Sequence, residues 1–387
     1  MLLLPYLLIM LFLCGCAFSH EFAKDEVRKM QIRYVAMGVF FVFFVFRGYI
    51  NTDWAGYYPF FESLEWKDLF TWSFDAEKDA HVEEPGFVLL ALLCKTLIPH
   101  YLFLQVVVSA LCMWLFFRFL NKMKIENYSL VFMLFISFAG MGIVFNLLRN
   151  SLAIFIFLNA LEYLVDRKPL HYFGLCLLAV SFHMTSLVFL PLYFFFHFRI
   201  NRWVFLGCFS VFAVMYLLNI SIVVSILQIL GIDELLTAKV EAYTEVMNAS
   251  RSGFSLGFIE RVLTAVLVTL YYDKLNMRRK NNAIIINGLL CYFFMFFCLA
   301  EFSTISSRMS NLFVYSYWII WVDLLYCLYY ENNRNIFLSF IMLYCIVKLI
   351  PFIQKPVQEY DNILFGIKGY EERLNIFNST FVDDNVE

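Results

Sequence analysis

The chain of 387 residues is 62% hydrophobic and 16% charged, whereas an average soluble domain is roughly 45–50% apolar and about 25% charged. No single globular core hides that much apolar surface, which excludes a soluble domain and predicts an all-α, polytopic helical membrane protein. The 29 basic and 31 acidic residues nearly cancel, which gives no footing for nucleic acid.

The opening MLLLPYLLIMLFLCGCAFSH has no basic n-region and reads as a retained first helix over 2–18. Apolar runs long enough to cross a bilayer, or nearly so, follow at 34–46, 101–120, 127–145, 147–165, 203–222, 257–272, 283–301, 309–328 and 336–353. The run 86–98 covers only about half a crossing. The run 170–197 is too long for one helix and short for two. The ten cysteines form no CxxC and sit mostly inside apolar runs, as small buried hydrophobes do.

Basic residues cluster in EFAKDEVRKMQIR (21–33), NKMKIEN (121–127), DRKP (166–169), FRINR (198–202), DKLNMRRKNN (273–282) and ENNRN (331–335). The segment 47–84 carries nine acids and three bases. The positive-inside rule then puts the basic loops in the cytoplasm and the acidic loop outside. Parity holds only if 170–197 is a helical hairpin whose tip falls near SFHMTS (181–186). The expected product is about twelve transmembrane or re-entrant helices with both termini outside. Residues 1–353 form one integral domain with external loops 47–100 and 232–258, and 354–387 form an external polar tail.

On that topology the external side gathers Arg47, Asp53, Glu84, Arg149, His183, Arg251, Arg261 and Arg308. Arg149, in NLLRNSLA, is either a snorkelling anchor or a ligand for an anion at a helix start. Arg308, in STISSRMSN, is wrapped by hydroxyls that suit phosphate oxygens or an ordinary capped turn. Arg261 adjoins Glu260, and a local ion pair competes with a ligand role. His183 is a single imidazole with no second ligand at metal spacing, so it is a structural hydrogen-bonding residue or a proton donor. Glu84 precedes Pro85 and a helical run, so it is a helix cap or a working carboxylate. Asp53 lies among aromatics, and Trp54 and Tyr57 beside it are candidate platforms for sugar rings.

The ordered set RGYINTDWAGYYPFFE (47–62), EEPGFVLLALL (83–93), LLRNSLAIFIFLNALEYL (147–164), AVSFHMTSLVFLPLYFF (179–195) and SSRMSNLF (306–313) resembles the EpsG family of Wzy-like membrane proteins of exopolysaccharide and capsule synthesis. The resemblance runs from the first helix to about residue 350. This chain departs from the family pattern at Asn51, where Gly is usual, at Trp54, where Tyr is usual, and at Asn150, where Gln is usual. The resemblance implies a bundle of the O-antigen-ligase, GT-C type in the bacterial cytoplasmic membrane. It implies polymerisation of oligosaccharide repeat units carried on polyprenyl pyrophosphate at the outer face, alongside a flippase and a chain-length regulator. Arg47, Arg149, Arg261 and Arg308 would bind the pyrophosphate, Asp53 or Glu84 would be the general base, and His183 would orient or protonate a phosphate. With arginines neutralising the leaving group, no metal or other cofactor is expected. A flippase for the same lipid-linked sugars would grip them with the same arginines, and a membrane acyltransferase would use the histidine alone.

Overall fold

The computed structural model describes residues 4–70, 84–220, 255–279 and 282–383. Residues 71–83 of the acid-rich stretch and most of the second external loop lie outside the described residues, as does Arg251. In chain order the helices are α1 (Leu4–Phe22), α2 (Glu26–Val45), α3 (Trp54–Ser63), α4 (Pro85–Leu97), α5 (Tyr101–Lys122), α6 (Tyr128–Phe135), α7 (Met141–Asn146), α8 (Leu148–Val165) and α9 (Pro169–Phe182). They continue with α10 (Arg202–Leu217), α11 (Leu256–Leu270), α12 (Tyr272–Arg278), α13 (Ala283–Cys298), α14 (Ser303–Asn311), α15 (Tyr315–Cys327), α16 (Glu331–Ile353) and α17 (Tyr370–Asp383). Among the described residues there are isolated β-bridges but no β-strand. The chain divides into two compact units, one of residues 1–193 and 336–387, the other of 194–335.

Among the described residues five stretches are long and apolar enough to cross a membrane on their own: Leu4–Phe22, Tyr101–Lys122, Tyr128–Asn146, Leu148–Val165 and Glu331–Ile353. At 1.5 Å per residue, α5 reaches about 33 Å, which matches a hydrocarbon core of about 30 Å. The sequence count of about twelve takes in shorter pieces. Helices α4, α9, α10 and α13 have 13, 14, 16 and 16 residues. The span expected at 34–46 starts at Glu26, because Asp25 caps it by accepting the Val27 amide. The span expected at 309–328 is divided between α14 and α15. Helices α6 and α7 form one span broken at Phe138 and Ala139, where Ala139 takes φ 61°.

In the first unit α8 is the central helix, buried on nearly every face between α5 and α9. It runs parallel to α5, with Ser151 beside Cys112 and Glu162 paired to both Arg118 and Lys122. The turn Asp166–Lys168, with Arg167 at φ 55°, reverses the chain into α9. His183 then breaks α9 in an extended conformation (φ −160°, ψ 123°). The return segment 184–195 doubles back along α9: the Tyr172 hydroxyl donates to the Phe189 carbonyl at 2.6 Å, and the Tyr172 and Tyr193 rings lie 5.3 Å apart. Residues 170–197 therefore form the hairpin that charge parity demanded. The basic segments join at the Glu162 end, where Arg33 reaches the Glu126 carbonyl and Asn127 bonds to Glu21. His183 marks the other end.

The C-terminal segment is folded onto that other end. The Gly48 amide donates to the Asp361 carbonyl (3.1 Å), Asn51 N–H to Val357 (2.8 Å) and Ile363 N–H to Phe46 (2.7 Å). Gly48 is required there: a Cβ would fall 2.0 Å from an Asp361 carboxylate oxygen. Arg373, 2% exposed, ties the segment together through Asp361 at 2.8 Å and the Glu359 carbonyl at 2.8 Å. Helix α17 stacks Tyr370 on Tyr58 with ring centroids 4.0 Å apart.

Candidate functional site

Three helix ends meet in the first unit. Helix α4 starts at Pro85, whose fixed φ and missing N–H suit the first helical position. Glu84 occupies the cap position by its backbone, yet its side chain makes no cap bond. The carboxylate turns instead to α8 and α9. Its Oε2 accepts from Arg149 Nη1 at 2.5 Å, and its Oε1 lies 2.9 Å from His183 Nδ1 and 3.0 Å from the Met184 amide nitrogen. The extended backbone at His183 aims both the imidazole and the Met184 N–H at this one carboxylate.

Arg149 stands on the first turn of α8. Its Nε donates to the Tyr57 hydroxyl at 3.0 Å, and its guanidinium carbon lies 5.8 Å from the centre of the Tyr57 ring. The side chain is 23% exposed. A snorkelling arginine would keep its head in water; this one is held on two sides by protein. Burial alone would raise the Glu84 pKa. The His183 hydrogen bond, the Arg149 charge and the Met184 N–H outweigh it and hold the carboxyl down to about 2. Glu84 is therefore ionised at neutral pH and a weak base.

Gly86 lets α4 approach α9. A Cβ there would lie 2.5 Å from Ser181 Oγ and 2.7 Å from the Ser181 carbonyl oxygen. Without that close approach Glu84 and His183 would stand further apart.

Asp53 is joined to this cluster through Asn146. The Asn146 Oδ1 accepts from the Asp53 amide (2.9 Å), the Thr52 amide (3.1 Å) and the Thr52 hydroxyl (3.0 Å). Asn146 ends α7, three residues before Arg149, so one short turn places both the arginine and the Asp53 loop. Asn51 itself takes φ 72°, the left-handed conformation that the family's usual glycine adopts without cost.

The other sequence candidates fall elsewhere. Arg47 is 1% exposed and braces the interior, donating to Ser109 Oγ (3.1 Å) and the Val144 carbonyl (2.7 Å). It supports the turn that carries Arg149 and presents no surface to a ligand. Trp54 is 3% exposed; its indole N–H donates to the Asn51 carbonyl at 2.9 Å, and Tyr49, Tyr370 and Phe377 pack around its ring. The expected sugar platform is thus a packed core residue, because α17 covers it. Tyr57 is an arginine partner rather than an open ring face.

In the second unit Arg261 is 7% exposed, bonded to the Tyr292 hydroxyl (2.7 Å) and the Gly257 carbonyl (2.6 Å), with its guanidinium 3.5 Å from the centre of the Phe296 ring. Its binding energy is spent inside the protein. Arg308 is exposed on the last turn of α14. Among the described residues no cluster of three histidine, cysteine or acidic side chains suits a metal.

Two asparagines beside Arg149 gain a definite place only in the structure. Asn146 carries the one polar side chain in the apolar run 141–148, and that contrast was its signal. Asn150, where the family usually has Gln, is 3% exposed, and neither of its side-chain polar atoms has a hydrogen-bond partner among the described residues.

Helices long and apolar enough to cross a bilayer, with a guanidinium, a carboxylate and an imidazole joined at one end of the bundle, define a multi-pass membrane protein with a polar site at a helix-end junction. The chain belongs to the EpsG family, which matches residues 31–364 and therefore covers every side chain of the junction. That membership points to a membrane polysaccharide polymerase. No curated protein and no solved structure matches the chain.

Proposed function

We propose that this protein joins oligosaccharide repeat units carried on polyprenyl pyrophosphate, at the outer face of the bacterial cytoplasmic membrane. The observation that carries the reading is the Glu84 carboxylate bound at once to Arg149 and His183. A guanidinium fixed at a helix start, beside a histidine at a membrane surface, is suited to the two phosphates of a lipid-linked donor. Glu84 fixes the orientation of the guanidinium and the imidazole before the donor arrives, so little reorganisation is needed as charge builds on the leaving pyrophosphate. The acceptor hydroxyl attacks the anomeric carbon, the glycosidic bond to pyrophosphate breaks, and the acceptor's proton goes to a base. Asp53 takes that role in preference to Glu84, whose hydrogen bond with His183 and pairing with the Arg149 charge lower its basicity. His183 stabilises or protonates the departing phosphate. Arg308, exposed in the second unit, is proposed as a phosphate ligand in its own right. A flippase, a chain-length regulator and the lipid bilayer are the partners this reaction calls for.

The broken span at Phe138–Ala139 favours one second reading, a transporter of the same lipid-linked sugars, since transporters use interrupted helices near their sites. Purified protein in proteoliposomes, supplied with polyprenyl-pyrophosphate-linked repeat units, separates the two. The polymerase yields a ladder of lengthening chains that Arg149→Ala abolishes. Substrate crossing the bilayer without elongation would replace polymerisation by transport.

A further inference from the structure

We propose that the second unit binds the phosphate head group of an anionic phospholipid in a basic cavity between α12 and the end of α15. The cavity measures about 570 Å³ and is lined by Lys274, Met277, Arg278, Tyr326, Cys327 and Tyr329, with Leu328 between the last two. It plays no part in the Glu84–Arg149–His183 site.

The charge balance at this place is positive by construction. Asp323, in the middle of α15, is fully buried and accepts from Arg279; Arg278 Nε lies 3.6 Å from its other oxygen, and Asn282 Nδ2 lies 3.5 Å away. Among the described residues one carboxylate thus faces two guanidinium groups, a balance on the positive side. Lys274 adds another. Its Nζ donates to the Cys327 carbonyl at 3.3 Å and lies 5.6 Å from the Tyr271 ring centre. The neighbouring Asp273 is engaged with Arg202 at 3.2 Å. Arg278 is also held over the Tyr326 ring, at 5.0 Å, so its planar fork is oriented in advance.

The rim identifies the ligand class. Met277 is 77% exposed and Tyr329 is 87% exposed, beside the cations. An aqueous phosphate has no use for that apolar border. A phospholipid does: its phosphodiester meets Lys274 and Arg278 while its glycerol and upper acyl carbons cover Met277 and the tyrosine faces. Tyrosines at a helix end are the usual residents of this depth, and basic pockets between membrane helices collect anionic head groups.

The test uses the full-length protein in detergent, mixed with vesicles of phosphatidylglycerol or of phosphatidylcholine, and counts the lipid retained per protein after repurification. Phosphatidylglycerol is retained in preference. Lys274→Ala, an exposed position that leaves Asp323 and its partners in place, lowers that affinity about fivefold, the loss expected for one surface cation. Arg278→Gln lowers it further. Equal retention of the two lipids, or retention unchanged in Lys274→Ala, overturns the site. Displacement of phosphatidylglycerol by inorganic phosphate alone, at matched concentration, overturns the lipid as its occupant.

Discussion

Glu84 binds Arg149 and His183 simultaneously, through its two different carboxylate oxygens. One acidic side chain thereby fixes the ends of three helices. Replacing it with glutamine keeps the shape but removes the charge that pairs both partners. Glu84→Gln is expected to lower chain elongation by about a hundredfold, the order of loss when a preorganised electrostatic group is removed. It is also expected to destabilise the fold by about 1–3 kcal/mol. Elongation rate and thermal unfolding in the same micelles check both.

Acid stability follows from the same residue. The folded protein holds the Glu84 carboxyl at about 2, below its ordinary 4.5. A depressed folded-state pKa means that the unfolded chain binds the proton more tightly. The stabilisation is then complete above about pH 4.5 and is lost as pH falls from there to about 2. Unfolding measured across this window is expected to show a loss of no more than about 3 kcal/mol from this group. Glu84→Gln should remove that portion of the slope, and nothing of it should appear between pH 5 and pH 7.

Arg149 is asked to do what lysine cannot. Its Nε and Nη1 serve two different partners, Tyr57 and Glu84. A lysine supplies one point charge and no fork. Arg149→Lys should therefore keep the membrane fold yet lose most elongation, while Tyr57→Phe, which removes one hydrogen bond to a charged group, should cost about tenfold. Elongation unchanged in Arg149→Lys would reduce the role of Arg149 to simple charge.

Asn150 is buried, and its carboxamide has no partner among the described residues. A buried amide left unpaired costs about 1–3 kcal/mol. Asn150→Leu should therefore raise the unfolding temperature, and elongation should fall at the same time, the trade expected where a strained polar group serves a substrate. Higher stability with full activity would make Asn150 a packing defect only.

The C-terminal segment holds the Asp53 loop from behind. Arg373→Ala leaves the Asp361 carboxylate without its buried cation and the Glu359 carbonyl without that donor, and breaking such a pair costs about 3–5 kcal/mol. Hydrogen exchange should accelerate at Gly48 and Asn51, whose amides bond to that segment. The Glu84–Arg149 pair, made by other elements, should keep its protection.

Local chemistry made much of this legible in advance. The apolar runs α5, α8 and α16 were readable because a bilayer demands a fixed length of apolar residues. The hairpin at His183 was readable because basic loops must share one side. Roles were less accessible. Trp54 and Arg47 look functional in a sequence of aromatics and carboxylates, and only packing by Tyr370, Phe377, Ser109 and Val144 shows them to be internal.

The sequence by itself determined the all-helical membrane class, the longest apolar helices, the family resemblance and the small pool of polar residues from which a site had to be drawn. Hydropathy and charge act over a few turns, so they are visible along the chain. The tertiary structure decided which members of that pool meet. Glu84 lies 65 residues from Arg149 and 99 from His183. Contacts at such separations depend on the break at His183, the turn at Asn146 and the close approach at Gly86, and no local pattern encodes them. Arg149, an anchor or a ligand when read alone, became the guanidinium of a joined site because a carboxylate from another helix holds it.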